Sequence, residues 1–316
     1  MNFKDTAEKN KVLEIRVGSH LFGTNTPDSD LDLFGIYMPS EEMVYGDLRC
    51  EEVDLSVIAK DSTGRNTAEA IDRKFHEYRK FVRLALQNNP NILHVLFANN
   101  ENIVYLDEQT GFGRNLLNKA YVFPHKGAHH RFIQYADAQR HKMRIKPENY
   151  AQLEKGLEIL MGEDDHKVIG ELRDVAPFHY EGKGKHVKLG DVFFEAGTFV
   201  KKARRAVEER LSKATSRAQL FTKYGYDVKY ASNLIQLLLE GIELMQTGAI
   251  AMPLTYGHYV LEIKNGKFSA EQIMNHADPL VEEAREAYNK SELPTEPRTK
   301  EITEFMISEV KRFLVS

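Results

Sequence analysis

Two features set the chemistry this chain could do. An alternating stretch, Val12-Leu13-Glu14-Ile15-Arg16-Val17, runs into Gly18-Ser19, and Ser29-Asp30-Leu31-Asp32-Leu33 follows within twenty residues. In a strand successive side chains take opposite faces, so Asp30 and Asp32 share one side while Leu31 and Leu33 turn toward a core. Two strand residues span roughly 6.6 Å, and carboxylates so spaced can hold divalent cations about 3.5–4 Å apart. At Gly18-Ser19 a strand gives way to a helix, and backbone N–H groups in such turns attract phosphate oxygens. A phosphate-sized turn beside paired carboxylates is what metal-dependent phosphoryl or nucleotidyl transfer requires.

Simpler readings compete. Thr26-Pro27-Asp28-Ser29 is good turn chemistry, so the acidic stretch also reads as a solvated turn. A calcium-binding EF-hand is excluded, because counting from Asp28 the sixth position is Leu33 where Gly is required and the twelfth is Pro39 where Glu is required. A Walker-type phosphate loop is excluded by the lack of a Gly-Lys-Ser/Thr at the needed spacing.

The stretches Gly18-Ser19-His20-Leu21-Phe22-Gly23-Thr24 and Pro27-Asp28-Ser29-Asp30-Leu31-Asp32-Leu33-Phe34-Gly35-Ile36-Tyr37 together resemble the signature of DNA polymerase β-like nucleotidyltransferases. More narrowly they resemble a bacterial and phage branch, some members of which are associated with RNA ligases and RNA repair. The likeness continues through Asp72 to Phe81 and Asn88 to Leu93, and returns near Lys229 and Glu240-Gly241-Ile242-Glu243-Leu244. It implies transfer of a nucleoside monophosphate from ATP or another nucleoside triphosphate to a hydroxyl, with two magnesium or manganese ions. The branch implies an RNA end as acceptor, in repair or tailing. A protein or small-molecule acceptor, or a nucleotide-binding regulator without turnover, are the other readings.

A third acidic group is needed for the second metal. Asp54, between Val53 and Leu55, and Asp72, between Ile71 and Arg73, both have the local pattern, and spacing does not choose between them. The resemblance does: it puts Asp72 in the acidic position ahead of the Lys80-Phe81 helix. Asp30, Asp32 and Asp72 are therefore the expected catalytic and metal-holding set. Ser19 could bond a terminal phosphate or merely cap its turn. Lys229 is a triphosphate contact by resemblance and a snorkelling surface lysine by position. Asn233 and Gln236 depart from the family pattern, where His and Arg are usual, which puts substrate preference or full activity in doubt.

Two basic groups could track a polynucleotide: Arg131, Arg140, Lys142, Arg144 and Lys146, and Lys201, Lys202, Arg204, Arg205, Arg210 and Lys213. Glu195, Glu208 and Glu209 interleave with the second, which reads as a solvated, charge-paired face. His129-His130 and Asp164-Asp165-His166 lack further ligands at zinc spacing.

The elements that must position these groups are legible as periodicities. Strands are expected at 12–17, 31–37, 53–58 and 70–76, with a helix carrying Tyr78, Phe81, Val82, Ala85 and Leu86 and a short one from Ile92. Helices are expected over 128–145, 150–161, 191–214, 228–247, 270–290 and 299–314. Glu181-Gly182-Lys183-Gly184-Lys185 reads as a mobile basic loop. The expected fold is an α/β (α+β) nucleotidyltransferase domain with a small mixed sheet over 1–124. An all-helical domain for nucleotide and acceptor over 125–316 follows, with the site in the cleft between them. The 316 residues, 42% hydrophobic, suit two modest cores. A net charge of −4 makes no global commitment to nucleic acid. One cysteine excludes intrachain disulfides and suits a reducing compartment. With no membrane-length apolar run and no signal peptide at the start, a cytoplasmic protein is expected.

Overall fold

A computed structural model describes residues 2–27, 29–59, 70–143 and 147–316. The chain divides into two compact units. The first comprises Met1–Ala138, Ser232–Lys267 and Glu271–Ser316; the second comprises Gln139–Ala231 and Phe268–Ala270. The boundary read at 124/125 lies inside the first unit. Its later helices are contributed by chain more than a hundred residues beyond the sheet.

Unit 1 is built on five strands: β1 (Lys11–Arg16), β2 (Leu31–Tyr37), β3 (Glu52–Asp54), β4 (Ile71–Glu77) and β5 (Ile103–Leu106), in the order β3-β4-β2-β1-β5. Among the described residues only β2 and β4 of this sheet pair in parallel, so the sheet is mixed, as the α/β reading expects. The short helix α1 (Phe3–Lys9) precedes β1, and short helices lie between the strands: α2 (Ser19–Phe22), α3 (Glu41–Val44), α4 (Tyr78–Leu86) and α5 (Pro90–Leu96). After Asn88 (φ 51) ends the α4 turn, the Asn89 side chain accepts from Asn91 N–H at 3.1 Å and Pro90 opens α5. The helices α6 (Phe112–Asn118) and α7 (Gly127–Met143) follow. The remaining helices are α8 (Pro147–Gly162), α9 (Val200–Tyr224), α10 (Val228–Thr247), α11 (Gly257–Lys264), α12 (Ala270–Lys290) and α13 (Thr299–Leu314). The α10 stripe Leu234, Ile235, Leu238, Ile242 and Met245 is buried throughout, as its period dictates.

One face of the sheet depends on Gly35. It stands between Glu14 and Phe75 in the ladder, and a Cβ there would come within 2.3 Å of the Phe75 ring. Over that bare stretch Arg73 of β4 reaches past β2 to Glu14 of β1, Nε to Oε1 at 2.5 Å and Nη2 to Oε2 at 3.0 Å. Lys11 adds a bond to Glu14 at 2.8 Å. Burial alone would push the Glu14 carboxyl up. The Arg73 and Lys11 hydrogen bonds outweigh it, and the net shift is downward.

Unit 2 has its own core, in which α8 and α9 pack with Ile169, Phe178, Val187 and Leu189. It is not all helical. The strands β6 (His179–Glu181), β7 (His186–Leu189) and β8 (Val192–Glu195) form an antiparallel sheet. The loop expected at 181–185 is the β6–β7 hairpin, turned by Gly182, Lys183 and Gly184 at φ 62, 57 and 80. The helix expected from 191 begins at Val200 instead. Strands of three or four residues alternate too briefly to be told from a helical segment by pattern.

Candidate active site

The parallel β2–β4 ladder sets Asp32 directly opposite Asp72. Residues so paired face the same side, their backbones about 4.8 Å apart. Asp30 lies just before β2 and is exposed. The turn between Thr26 and Ser29 is closed locally: Thr26 N–H donates to Ser29 Oγ at 2.8 Å, and Ser29 N–H donates to Thr26 O at 3.0 Å.

Gly18 caps the start of α2 with φ 63 and ψ −137, a conformation open in practice to glycine alone. A Cβ at Gly18 would stand 2.8 Å from Asp32 Oδ2, and Val17 N–H donates to Asp32 O at 2.9 Å. The structure thus brings the glycine turn against the Asp32 carboxylate. Ser19, partly buried, is the first residue of α2, and its carbonyl accepts from Thr24 N–H at 2.9 Å.

Asp72 is engaged by its own strand. Lys74 Nζ stands 3.0 Å from Oδ1 and 3.1 Å from Oδ2, and Ser56 Oγ donates to Oδ1 at 3.2 Å. Asp54 lies opposite Lys74 in the β3–β4 pair and accepts from Ser56 N–H at 2.9 Å. The Ser56 bonds hold Asp54 below its usual pKa. Lys74 is held above its own, first by the bond to Asp72, against the effect of burial, and further by the charges of Asp72, Asp54 and Asp32. A lysine therefore sits amid three aspartates at one end of this sheet face.

Among the described residues no three His, Cys, Asp or Glu side chains stand as a ready cation cage. Asp72 points its oxygens to Lys74 and Ser56 instead. The donor chemistry nevertheless fits a hard cation. Asp30, Asp32 and Asp72 offer carboxylate oxygens only, the ligands magnesium and manganese take, and Asp32 and Asp72 issue from adjacent positions on one face.

Sequence reasoning missed what backs the turn. Leu254 N–H donates to Phe22 O at 3.2 Å, Lys264 Nζ donates to Thr24 Oγ1 at 3.0 Å, and Gly23 abuts Pro253. No local signal joins residues 253–264 to residues 18–24.

The other sequence-expected groups are dispersed. Lys229 falls in unit 2, exposed in the first turn of α10, where its N–H is capped by Asp227 Oδ1 at 3.0 Å. Gln236 is buried and donates to Glu240 Oε1 at 2.8 Å; Asn233 is partly buried. Of the first basic group, Arg131 is exposed and Lys142 lies over the Tyr230 ring at 5.7 Å. Arg144 and Lys146 lie outside the described residues, as do Asp28 and the stretch 60–69. In the second group Arg204 pairs with Asp165 at 2.8 Å and bonds Leu160 O, and Arg210 pairs with Asp191. His129 and His130 pack with the Tyr288 ring, and Asp164 caps His166 N–H at 2.7 Å. Among the described residues no helix is long and apolar enough to cross a membrane.

A family model described as RlaP, RNA repair pathway DNA polymerase beta family, matches residues 2–161. Over 311 aligned residues the chain is 22% identical to an uncharacterized 38.9 kDa protein from the nrdC-mobD intergenic region of Enterobacteria phage T4. That alignment takes in 87% of this chain and 89% of the phage protein.

Proposed function

The chain belongs to the RNA repair pathway DNA polymerase beta family, and from that premise we propose that it transfers a nucleoside monophosphate from ATP or another nucleoside triphosphate to a hydroxyl on an RNA end. The observation that carries this reading is the Asp32–Asp72 pair beside the Gly18 turn. Asp30, Asp32 and Asp72 would hold two magnesium or manganese ions. Such ions, when bound, neutralise triphosphate charge and lower the pKa of an attacking hydroxyl. The chain's own residues do the positioning. Gly18, without a side chain, lets phosphate oxygens approach the backbone beside Asp32. Ser19 would donate its hydroxyl to a phosphate oxygen. Asp72 serves the acceptor side, and Lys74 must leave it when a cation binds. Cytoplasmic residence belongs to the same proposal.

The regulator reading draws on one observation, the hold of Lys74 and Ser56 on Asp72. One experiment separates the two. The protein is incubated with magnesium, each labelled triphosphate in turn, and RNA of defined ends. Label joined to RNA by the wild type and lost in Asp72→Asn supports the proposal. Label joined only to protein or a small molecule changes the acceptor class. Triphosphate binding without transfer to any acceptor favours the regulator.

A further inference from the structure

A buried polar cluster lies behind α2, assembled from separate parts of unit 1. Phe22, the last residue of α2, packs in a T-shaped arrangement with the His94 imidazole, with centroids 4.9 Å apart and planes at 82°. His94 belongs to α5 and is 5% exposed. Its Nε2 lies 3.0 Å from Oε2 of the fully buried Glu240 on α10. That approach brings the two groups within ion-pair distance, though not in hydrogen-bond alignment. Glu240 Oε1 accepts from Gln236 at 2.8 Å. Farther along α10, Glu243 Oε1 accepts from Ala251 N–H at 3.0 Å, and Tyr256 stands within the field of both carboxylates. The segment between Ala251 and Tyr256 is the one whose Leu254 N–H bonds Phe22 O.

A buried carboxylate and imidazole with incomplete hydrogen bonding are costly to place in a core. A well-packed apolar pair of the same volume would serve stability as well or better. Here the polar pair presses on the one aromatic ring that ends α2, while the 251–256 segment holds the same residue through its backbone. We infer that His94 and Glu240 are positioning residues: through Phe22 they hold α2, and with it the Gly18-Ser19 turn beside Asp32, in the arrangement that receives the triphosphate. The identity of that ligand rests on the nucleotidyl-transfer reading; the clamp on α2 does not. Gln236 acts in this scheme by orienting Glu240 rather than by touching substrate.

The test compares wild type with His94→Gln and Glu240→Gln in the full chain. Amide hydrogen exchange is followed at Phe22 and Thr24, whose N–H groups bond Gly18 O and Ser19 O. Affinity for a non-hydrolysable triphosphate is measured beside it. The expected result is exchange at least tenfold faster at these two amides and affinity about tenfold weaker, with the β2–β4 amides still protected. Unchanged exchange at Phe22 and Thr24 in a folded variant overturns the inference, as does exchange that rises equally across the sheet. If neither variant folds, Phe22→Leu decides, since it keeps the buried pair and removes the aromatic ring that meets it. It must show the same selective exchange, and its failure to do so overturns the inference. A wild type that binds no triphosphate overturns the functional reading instead, and the exchange data then decide the clamp alone.

Discussion

Asp32 and Asp72 occupy the second positions of β2 and β4 and stand opposite one another in the parallel ladder. Neither belongs to the buried core, so their removal should leave the fold intact. Asp32→Ala and Asp72→Asn should each reduce transfer by at least about two orders of magnitude, beyond the 10–100-fold of an outer-shell change. Asp72→Asn should keep triphosphate binding, and Asp54→Asn should be close to neutral. Circular dichroism and a labelled-nucleotide assay check this; near-normal turnover in Asp32→Ala would sink the metal assignment.

Lys74 competes with any cation for Asp72. The pair is half exposed, and such pairs are worth about 0.2–1 kcal/mol. Lys74→Met should therefore raise affinity for manganese by up to about fivefold, read by isothermal titration. Unchanged or weaker binding would mean that Lys74 is no barrier to the metal.

Gly18→Ala meets two penalties at once. The backbone conformation costs about 1–3 kcal/mol for a residue with a side chain. The new methyl would also press on Asp32 Oδ2. Chemical denaturation should show a loss in that range and titration a weaker triphosphate affinity. Stability equal to wild type would show that the turn relaxes freely.

Arg73→Met leaves Glu14, only 3% exposed, without its main partner. Removing one member of a buried pair costs about 3–5 kcal/mol. The pH dependence has a definite sign. Glu14 is depressed from 4.5 in the folded state, so its stabilisation is present above the unfolded value and lost as pH falls through the folded one. Acid unfolding below about pH 4.5 should be steeper in wild type than in the double variant Glu14→Gln/Arg73→Met, as urea titrations at stepped pH would reveal.

His76 acts in the window above that. Burial, and then the Lys80 ammonium, push its pKa down from 6.5 to about 4. At pH 7 the 3.0 Å contact with Glu52 is thus made by a neutral imidazole, its Nε2–H donating to the ionised carboxylate. The unfolded chain binds the proton first, so stability is complete above pH 6.5 and declines toward pH 4, by at most ~1.4 kcal/mol per pH unit. Following the imidazole resonances through an acid titration should give a midpoint near 4; one near 6.5 would contradict the burial.

What could be read without the structure was whatever local pattern decides. The spans 228–247, 270–290 and 299–314 coincide with α10, α12 and α13, because a helix stripe repeats over many turns. That Asp32 and Leu33 take opposite faces follows from strand alternation, and Gly18 announced a turn by its type. Three things were decided only by folding in three dimensions. Asp72 became the register partner of Asp32 while Asp54 came to face Lys74, a matter of which strands pair and in what alignment. The β6–β8 sheet emerged from segments too short to carry a period. The backing of α2 by Glu240, Leu254 and Lys264 arose from chain more than two hundred residues away. Contacts at that separation depend on how whole elements pack, and no window of sequence encodes the packing by itself.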